Sequence, residues 1–161
     1  MKNLEVTRSG FADKLYDFCH AAYSWGGMGS RLYYVQHPEM KEIVLPKLGK
    51  TPRQVLIDVG NHMRLYDPNI WLNACCRGNK VGALQIITDM RFPNEYQALE
   101  SYIRVKVTRP GFESTSEADI PLNGVTDWHH VIMNDGTLHD LTVKAQNFVD
   151  SVLIPKIKSE V

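Results

Sequence analysis

The stretch Leu84-Gln-Ile-Ile-Thr-Asp89-Met-Arg91-Phe-Pro93-Asn94-Glu95 constrains this chain more than any other, because an apolar run ends there in an acid, a base and a proline. Leu84 to Thr88 is short and β-branched, with apolar residues on both faces. That suits a strand buried in a parallel sheet better than a half-exposed antiparallel one. Pro93 cannot continue the strand, but it fits the first turn of a helix, where a missing N–H costs nothing. The stretch therefore predicts strand, loop, helix, with Asp89 and Arg91 at the strand's carboxyl end, where open α/β sheets bind their ligands.

Other segments extend the pattern. Leu4 to Thr7 alternates as a short strand, and Gly10 turns the chain into a helix whose apolar face is Phe11, Leu15, Phe18, Ala22 and Trp25, closed by Gly26-Gly27. Between Met28 and Lys50, Gly29, Pro38, Pro46 and Gly49 leave room for one short helix near Glu39 to Leu45. The expectation for the rest is surface loop with a few packed tyrosines.

Thr51-Pro-Arg-Gln54 is a marked helix start: threonine as N-cap, proline at the first helical position, glutamine placed to close a capping box. On that helix Arg53 and Gly60 lie seven apart and share a face, which Arg64 extends. Asp67-Pro68 starts another helix, with Ile70, Trp71, Ala74 and Cys75 on its apolar side and Gly78 at its end. Tyr102 to Thr108 and Trp128 to Met133 read as strands, Phe112 to Gly124 as a loop, and Asn134-Asp-Gly136 as a turn. Leu138, Leu141, Ala145, Phe148, Val149 and Val152 mark a terminal helix that Pro155 limits or kinks. Alternating strands and helices predict a single α/β domain over residues 1–161, with a mostly parallel sheet between helices.

Composition narrows the function classes. Eighteen basic residues balance eighteen acidic ones, so no bulk field favours a nucleic acid polymer or an anionic membrane, and a small anionic ligand fits better. The first residues lack the apolar core of a signal peptide, and no segment approaches the ~18 apolar residues of a membrane span, so a cytoplasmic protein is expected. Cys19, Cys75 and Cys76 and the six histidines show no zinc spacing, so no metal site is expected of them.

Gly49-Lys-Thr-Pro-Arg53-Gln-Val-Leu, Trp71, Thr88 to Glu95, Thr108-Arg-Pro-Gly111 and Asn134-Asp-Gly136, in this order and spacing, resemble the deoxynucleoside monophosphate kinases found mainly in bacteriophages. The resemblance runs from about Val6 to the last helix. It implies a P-loop kinase fold, phage nucleotide metabolism and, for a phage product, the host cytoplasm. It also implies that Asp13, Lys14, Arg53, Gly60, Asn61, Arg64 and Trp71 bind the monophosphate, with Trp71 near the base. Asp89 and Arg91 become the catalytic pair, Asp89 touching the monophosphate as well, and Arg109 with Asn134, Asp135 and Gly136 borders an ATP and magnesium site.

Departures matter as much. Gly60-Asn61-His62 stands where the family commonly has Gly-Thr-Glu or Gly-Thr-Asp, and Tyr16 stands where a lysine is expected. The family's opening strand and glycine-rich loop of the G-x-x-x-x-G-K-[ST] kind have no counterpart in the 161 residues; Gly26-Gly-Met-Gly-Ser30 follows a helix and has no lysine at its end. Such a loop cradles the donor phosphates with backbone N–H groups. The expected fold is thus that kinase without its first strand–loop–helix unit, binding a nucleoside monophosphate with transfer impaired or partner-dependent. In the family the absent strand lies between the counterparts of Leu84–Thr88 and Tyr102–Thr108. Those strands must then pair directly, be completed by a second copy or another protein, or leave open edges. The rival expectation is a non-catalytic interaction protein that reuses the fold.

Overall fold

The computed structural model describes residues 5–77, 83–112, 122 and 124–159. The fold is mixed α/β with parallel strand pairs, and the chain divides into two compact units, Met1–Met90 and Arg91–Val161.

In the first unit, β1 (Val6–Ser9) pairs in parallel with β2 (Leu84–Ile87), in the register Val6 to Leu84 through Ser9 to Ile87. Parallel neighbours need a long crossover. Here it carries α1 (Phe11–Tyr23), a 3-10 turn (Ser24–Gly26), α2 (Arg31–Gln36), a second 3-10 turn (Pro38–Glu42), α3 (Pro52–Tyr66) and α4 (Ile70–Cys76). Gly27, at φ +98°, takes the left-handed conformation that ends the first turn. The start of α3 follows its sequence signal: Thr51 Oγ1 accepts from Gln54 N at 3.2 Å, and Gln54 Oε1 accepts from Thr51 N at 2.9 Å.

The core of this unit is Cys19, Met28, Tyr34, Val55 and Leu56, backed by Leu15, Tyr16, Tyr23, Met40, Leu45, Leu48 and Val59. The segment expected to be mainly loop supplies two of its central residues, Met28 and Tyr34. Its helix lies at Arg31–Gln36, where Ser30 Oγ accepts from Tyr33 N at 3.3 Å, and Glu39–Glu42 is 3-10 instead. Ser30 is a capping residue, and burial of Tyr34, whose hydroxyl accepts from Gly29 N at 2.9 Å, holds the short helix in place.

In the second unit, α5 (Pro93–Ala98) precedes β3 (Val105–Thr108), which pairs in parallel with β4 (His130–Met133), Val105 opposite His130. The strand expected to open at Tyr102 starts at Val105, and the one expected at Trp128 starts at His130. Tyr102 N is spent on Leu99 O, which bends the chain there, and the Trp128 indole Nε1 donates to Val125 O at 2.9 Å, while Trp128 itself lies just before the strand. The loop expected over Phe112 to Gly124 lies mostly outside the described residues, as do Leu4 and Gly78. The terminal helix runs as α6 (Leu138–Phe148), a π-helical turn (Val149–Leu153) and α7 (Ile154–Ser159). Pro155 does not stop it: it stands in the first turn of α7. It lacks an N–H to donate, and the widened turn immediately before it accommodates that loss. No helix among the described residues is long and apolar enough to cross a membrane.

Two polar side chains organise the second unit. Glu95 is buried, and its Oε2 accepts from Arg91 N at 2.8 Å and Phe92 N at 3.0 Å, closing the first turn of α5. Arg104, with a side chain 11% exposed, stacks 4.0 Å from the centre of the Tyr96 ring, which meets Trp128 edge-on at 5.1 Å. Burial of the Tyr96 ring raises its phenol pKa above the usual 10.0. Replacing Glu95 by Ala strands the two N–H groups; urea unfolding is expected to show a loss of about 1–3 kcal/mol, and an unchanged midpoint would contradict it.

Candidate functional site

In the first unit the residues with chemical potential gather where β1 and β2 end and α1 begins. Asp89, two residues past β2, turns its carboxylate onto the start of α1: Oδ1 accepts from Phe11 N at 2.8 Å and Oδ2 from Ala12 N at 2.9 Å. A helix N-terminus presents unpaired N–H groups and a partial positive charge, so an anion is stabilised there. The approach demands glycine at position 10, where a Cβ would stand 2.8 Å from Asp89 Oδ2.

One turn into α1, Asp13 lies between two arginines. Arg8, from β1, donates through Nη1 to Asp13 Oδ2 at 3.1 Å and through Nη2 to Thr88 Oγ1 at 3.0 Å. Arg31, from the first turn of α2, closes onto Asp13 Oδ1 through Nε. The strand ends are tied again by Gln85, whose Nε2 donates to Ser9 Oγ at 2.7 Å and to Cys75 O at 3.4 Å. Burial raises the Cys75 thiol above its usual 9.0 and that of Cys19 to about 11, so both stay protonated at neutral pH.

The remaining residues singled out in the first unit have defined neighbours. Lys14 Nζ is 3.9 Å from Asp17, and Arg53 is exposed and paired with Glu42. Gly60 is buried where α3 crosses α1; a Cβ there would stand 3.2 Å from Leu15 and 3.6 Å from Arg64 Nη1. Asn61 is exposed beside it. Trp71 is buried, donating from Nε1 to Gly60 O at 3.3 Å, with Phe18 edge-on at 6.3 Å. Stacking a base on that ring would require the packing around α4 to open. The structure thus brings Gly60, Arg64 and Trp71 together, and separately Asp13 and Asp89.

In the second unit, Arg91 contributes its backbone N–H to Glu95, and the Arg109 guanidinium lies 3.8 Å from the centre of the Phe112 ring. Asn134 N donates to Thr108 O at 2.7 Å, extending the ladder past β4. Asp135 pairs with Lys144, which also donates to Met133 O at 2.8 Å. Gly136 leaves room for Asp140, whose Oδ2 accepts from Thr137 N at 2.8 Å; a Cβ at 136 would stand 2.6 Å from that oxygen. Among the described residues no group of three or more His, Cys, Asp or Glu side chains is arranged to hold a metal ion.

Sequence reasoning missed the roles of Arg8 and Arg31 against Asp13, of Glu95 and of Arg104. The usable signals were Arg8 in a short strand ending at Gly10, and glutamate three residues after Phe92, the spacing of a capping box. No protein-family model and no curated protein matches the chain. The class that the structure defines is a mixed α/β protein with polar residues clustered at the carboxyl ends of a parallel strand pair.

Asp89→Ala is expected to lower stability by about 0.5–2 kcal/mol, the worth of an N-cap. Gly10→Ala is expected to act on the same contact, so the double variant should cost less than the sum of the singles; additive losses in chemical denaturation would refute the coupling.

The Asp135 and Asp140 carboxyls are both held below their usual 3.8, Asp135 chiefly by the Lys144 hydrogen bond and Asp140 by the Thr137 hydroxyl. Because folding depresses these pKa values, the stabilisation is complete above the unfolded value and is lost as pH falls through the folded one. Helical circular dichroism is expected to decline below about pH 4. In Asp140→Asn that acid-dependent part should shrink, and an unaltered profile would count against the assignment.

Proposed function

We propose that the chain is a deoxynucleoside monophosphate kinase homologue that binds a nucleoside monophosphate at the carboxyl ends of β1 and β2, with phosphoryl transfer impaired or dependent on a partner. The observation that carries this reading is the convergence of two parallel strand ends, the amino end of α1 and a cluster of arginines and carboxylates at one place. Ligands of open parallel sheets lie beyond such strand ends, and guanidinium groups suit phosphate. In this reading Asp13, Lys14, Arg53, Asn61 and Arg64 face the substrate, while the buried Gly60 and Trp71 reach it only if the packing around α4 opens, and Asp89 only if it releases the amides of α1. The resemblance assigns transfer to Arg91 and the donor border to Arg109 with Asn134 to Gly136, all residues of the second unit.

The residues present do not fit an ATP and magnesium site by themselves. The sequence has no glycine-rich run ending in lysine, Asp135 is neutralised by Lys144, and Arg109 rests on Phe112. ATP and magnesium therefore enter the proposal only with a donor site supplied by another polypeptide segment. A second reading, a non-catalytic interaction protein, is favoured by the exposure of Val107 and Val131 on a sheet that, among the described residues, has the two strands β3 and β4. Parallel sheets are ordinarily covered on both faces, so a second copy or another protein would complete it.

Calorimetric titration with the four common deoxynucleoside monophosphates tests the first reading. Binding of at least one is expected, weakened roughly tenfold or more by Arg53→Ala, the loss of a charged hydrogen bond to phosphate. Binding of none, together with self-association in sedimentation, would favour the second. Transfer from ATP by the isolated chain is expected well below the usual turnover range of ~1 to 1,000 per second, and a rate within that range would overturn the argument from the absent loop.

A further inference from the structure

Around Asp13 the geometry leaves guanidinium capacity in excess of the carboxylate that occupies it. Two arginines meet one aspartate, whose side chain is 22% exposed against 47% for Arg8 and 35% for Arg31. Arg31 approaches it through Nε, and its planar guanidinium carries two further terminal donor groups. Other charges nearby are engaged elsewhere: Lys14 faces Asp17, and Asp89 is taken by the amides of Phe11 and Ala12. The two arginines come from different elements, β1 and α2, and converge from opposite carboxylate oxygens, a spacing set by an anion between them. Thr88 Oγ1 stands next to Arg8 Nη2 at 3.0 Å and adds a hydroxyl to the rim.

We propose that Arg8 and Arg31 form a clamp for the phosphate of a phosphomonoester, and that the Asp13 carboxylate holds the clamp in register as an internal competitor until the phosphate displaces it. A phosphomonoester brings up to two negative charges and three acceptor oxygens against one charge and two oxygens for Asp13, so it can engage more of the two guanidinium groups' donors than Asp13 does. Asp13 in this role lowers affinity while keeping the empty clamp from splaying by charge repulsion. The inference rests on the nucleotide reading only for the group that the phosphate carries; the clamp itself requires phosphate alone.

The test is NMR titration of the full chain with inorganic phosphate at low ionic strength, following the arginine Nε–Hε resonances, with chloride as the control anion. Saturable shifts at Arg8 and Arg31 with phosphate but not chloride are expected. Asp13→Asn is expected to tighten phosphate roughly tenfold by removing the competitor, and Arg31→Gln to weaken it by a similar factor, each the worth of about one charge-assisted hydrogen bond. Arg31→Lys, which keeps the charge without the fork, should fall between wild type and Arg31→Gln, so the ranking survives if one variant folds poorly. Equal shifts with chloride, no shift at either arginine, or weaker binding in Asp13→Asn would overturn the clamp. Titration of the four deoxynucleoside monophosphates beside their nucleosides separates the two ideas. Equal binding of both classes sinks the clamp and leaves a nucleoside site. Phosphate binding without any gain from a nucleoside sinks the nucleotide reading and leaves the clamp.

Discussion

The contact between the Asp89 carboxylate and the first two amides of α1 is the interaction on which the first unit depends. It joins residues 78 positions apart, and so closes the crossover that runs from β1 through four helices to β2. A carboxylate at a helix N-terminus gains from both hydrogen bonding and the helix dipole. Because α1 packs against α3 and α4, fixing its amino end also fixes the entry angle of the helix that carries Leu15 and Cys19 into the core. Asp13 and its two arginines sit on the first turn of that same helix, so the geometry of the charged cluster follows from the cap.

This arrangement gives Asp89 two roles that compete. Read from sequence, it is an acid at the end of a buried strand and belongs to a ligand. In the folded chain both its oxygens are already spent on backbone amides, so any ligand that recruits it would release α1. The same holds for most charged residues singled out by pattern: Lys14 faces Asp17, Arg53 faces Glu42 and Asp135 faces Lys144. Exposed pairs of this kind contribute little to stability, and the energetic cost of exchanging one partner for a phosphate is correspondingly small.

Local rules made part of the fold legible. The Thr51 capping box and Pro93 at a helix start are encoded within a few residues, and each appears where its spacing places it. The stripe expected along α1 does so only in part: Phe11 and Leu15 turn inward, but Phe18, Ala22 and Trp25 are exposed, Trp25 lies past the helix end, and Cys19 takes the core position. The failures are non-local. Tyr34 sits in a segment rich in glycine and proline, and only its burial against distant Val55 and Leu56 makes Arg31–Gln36 helical. Tyr102 has strand-like neighbours, but its backbone N–H is bonded to Leu99 O three residues back, so the strand begins later. Arg8 and Arg31 are 23 residues apart in sequence and share a site only because β1 and α2 are brought to the same end of α1. No pattern in one sequence announces such a meeting.

The π-helical turn at Val149–Leu153 changes the phase of everything beyond it. One extra residue in a turn retards the following side chains by about 100° around the axis. Carried forward without that lag, the half-buried positions Leu141, Phe148 and Val149 would drift away from Leu153 and Ile157; with it, they lie along one continuous side of the helix. The turn therefore works as a phase corrector between two helical segments whose apolar spacings are out of step. Beyond it, a change in segment length would alter which side Ile157 faces before it altered how far the helix reaches.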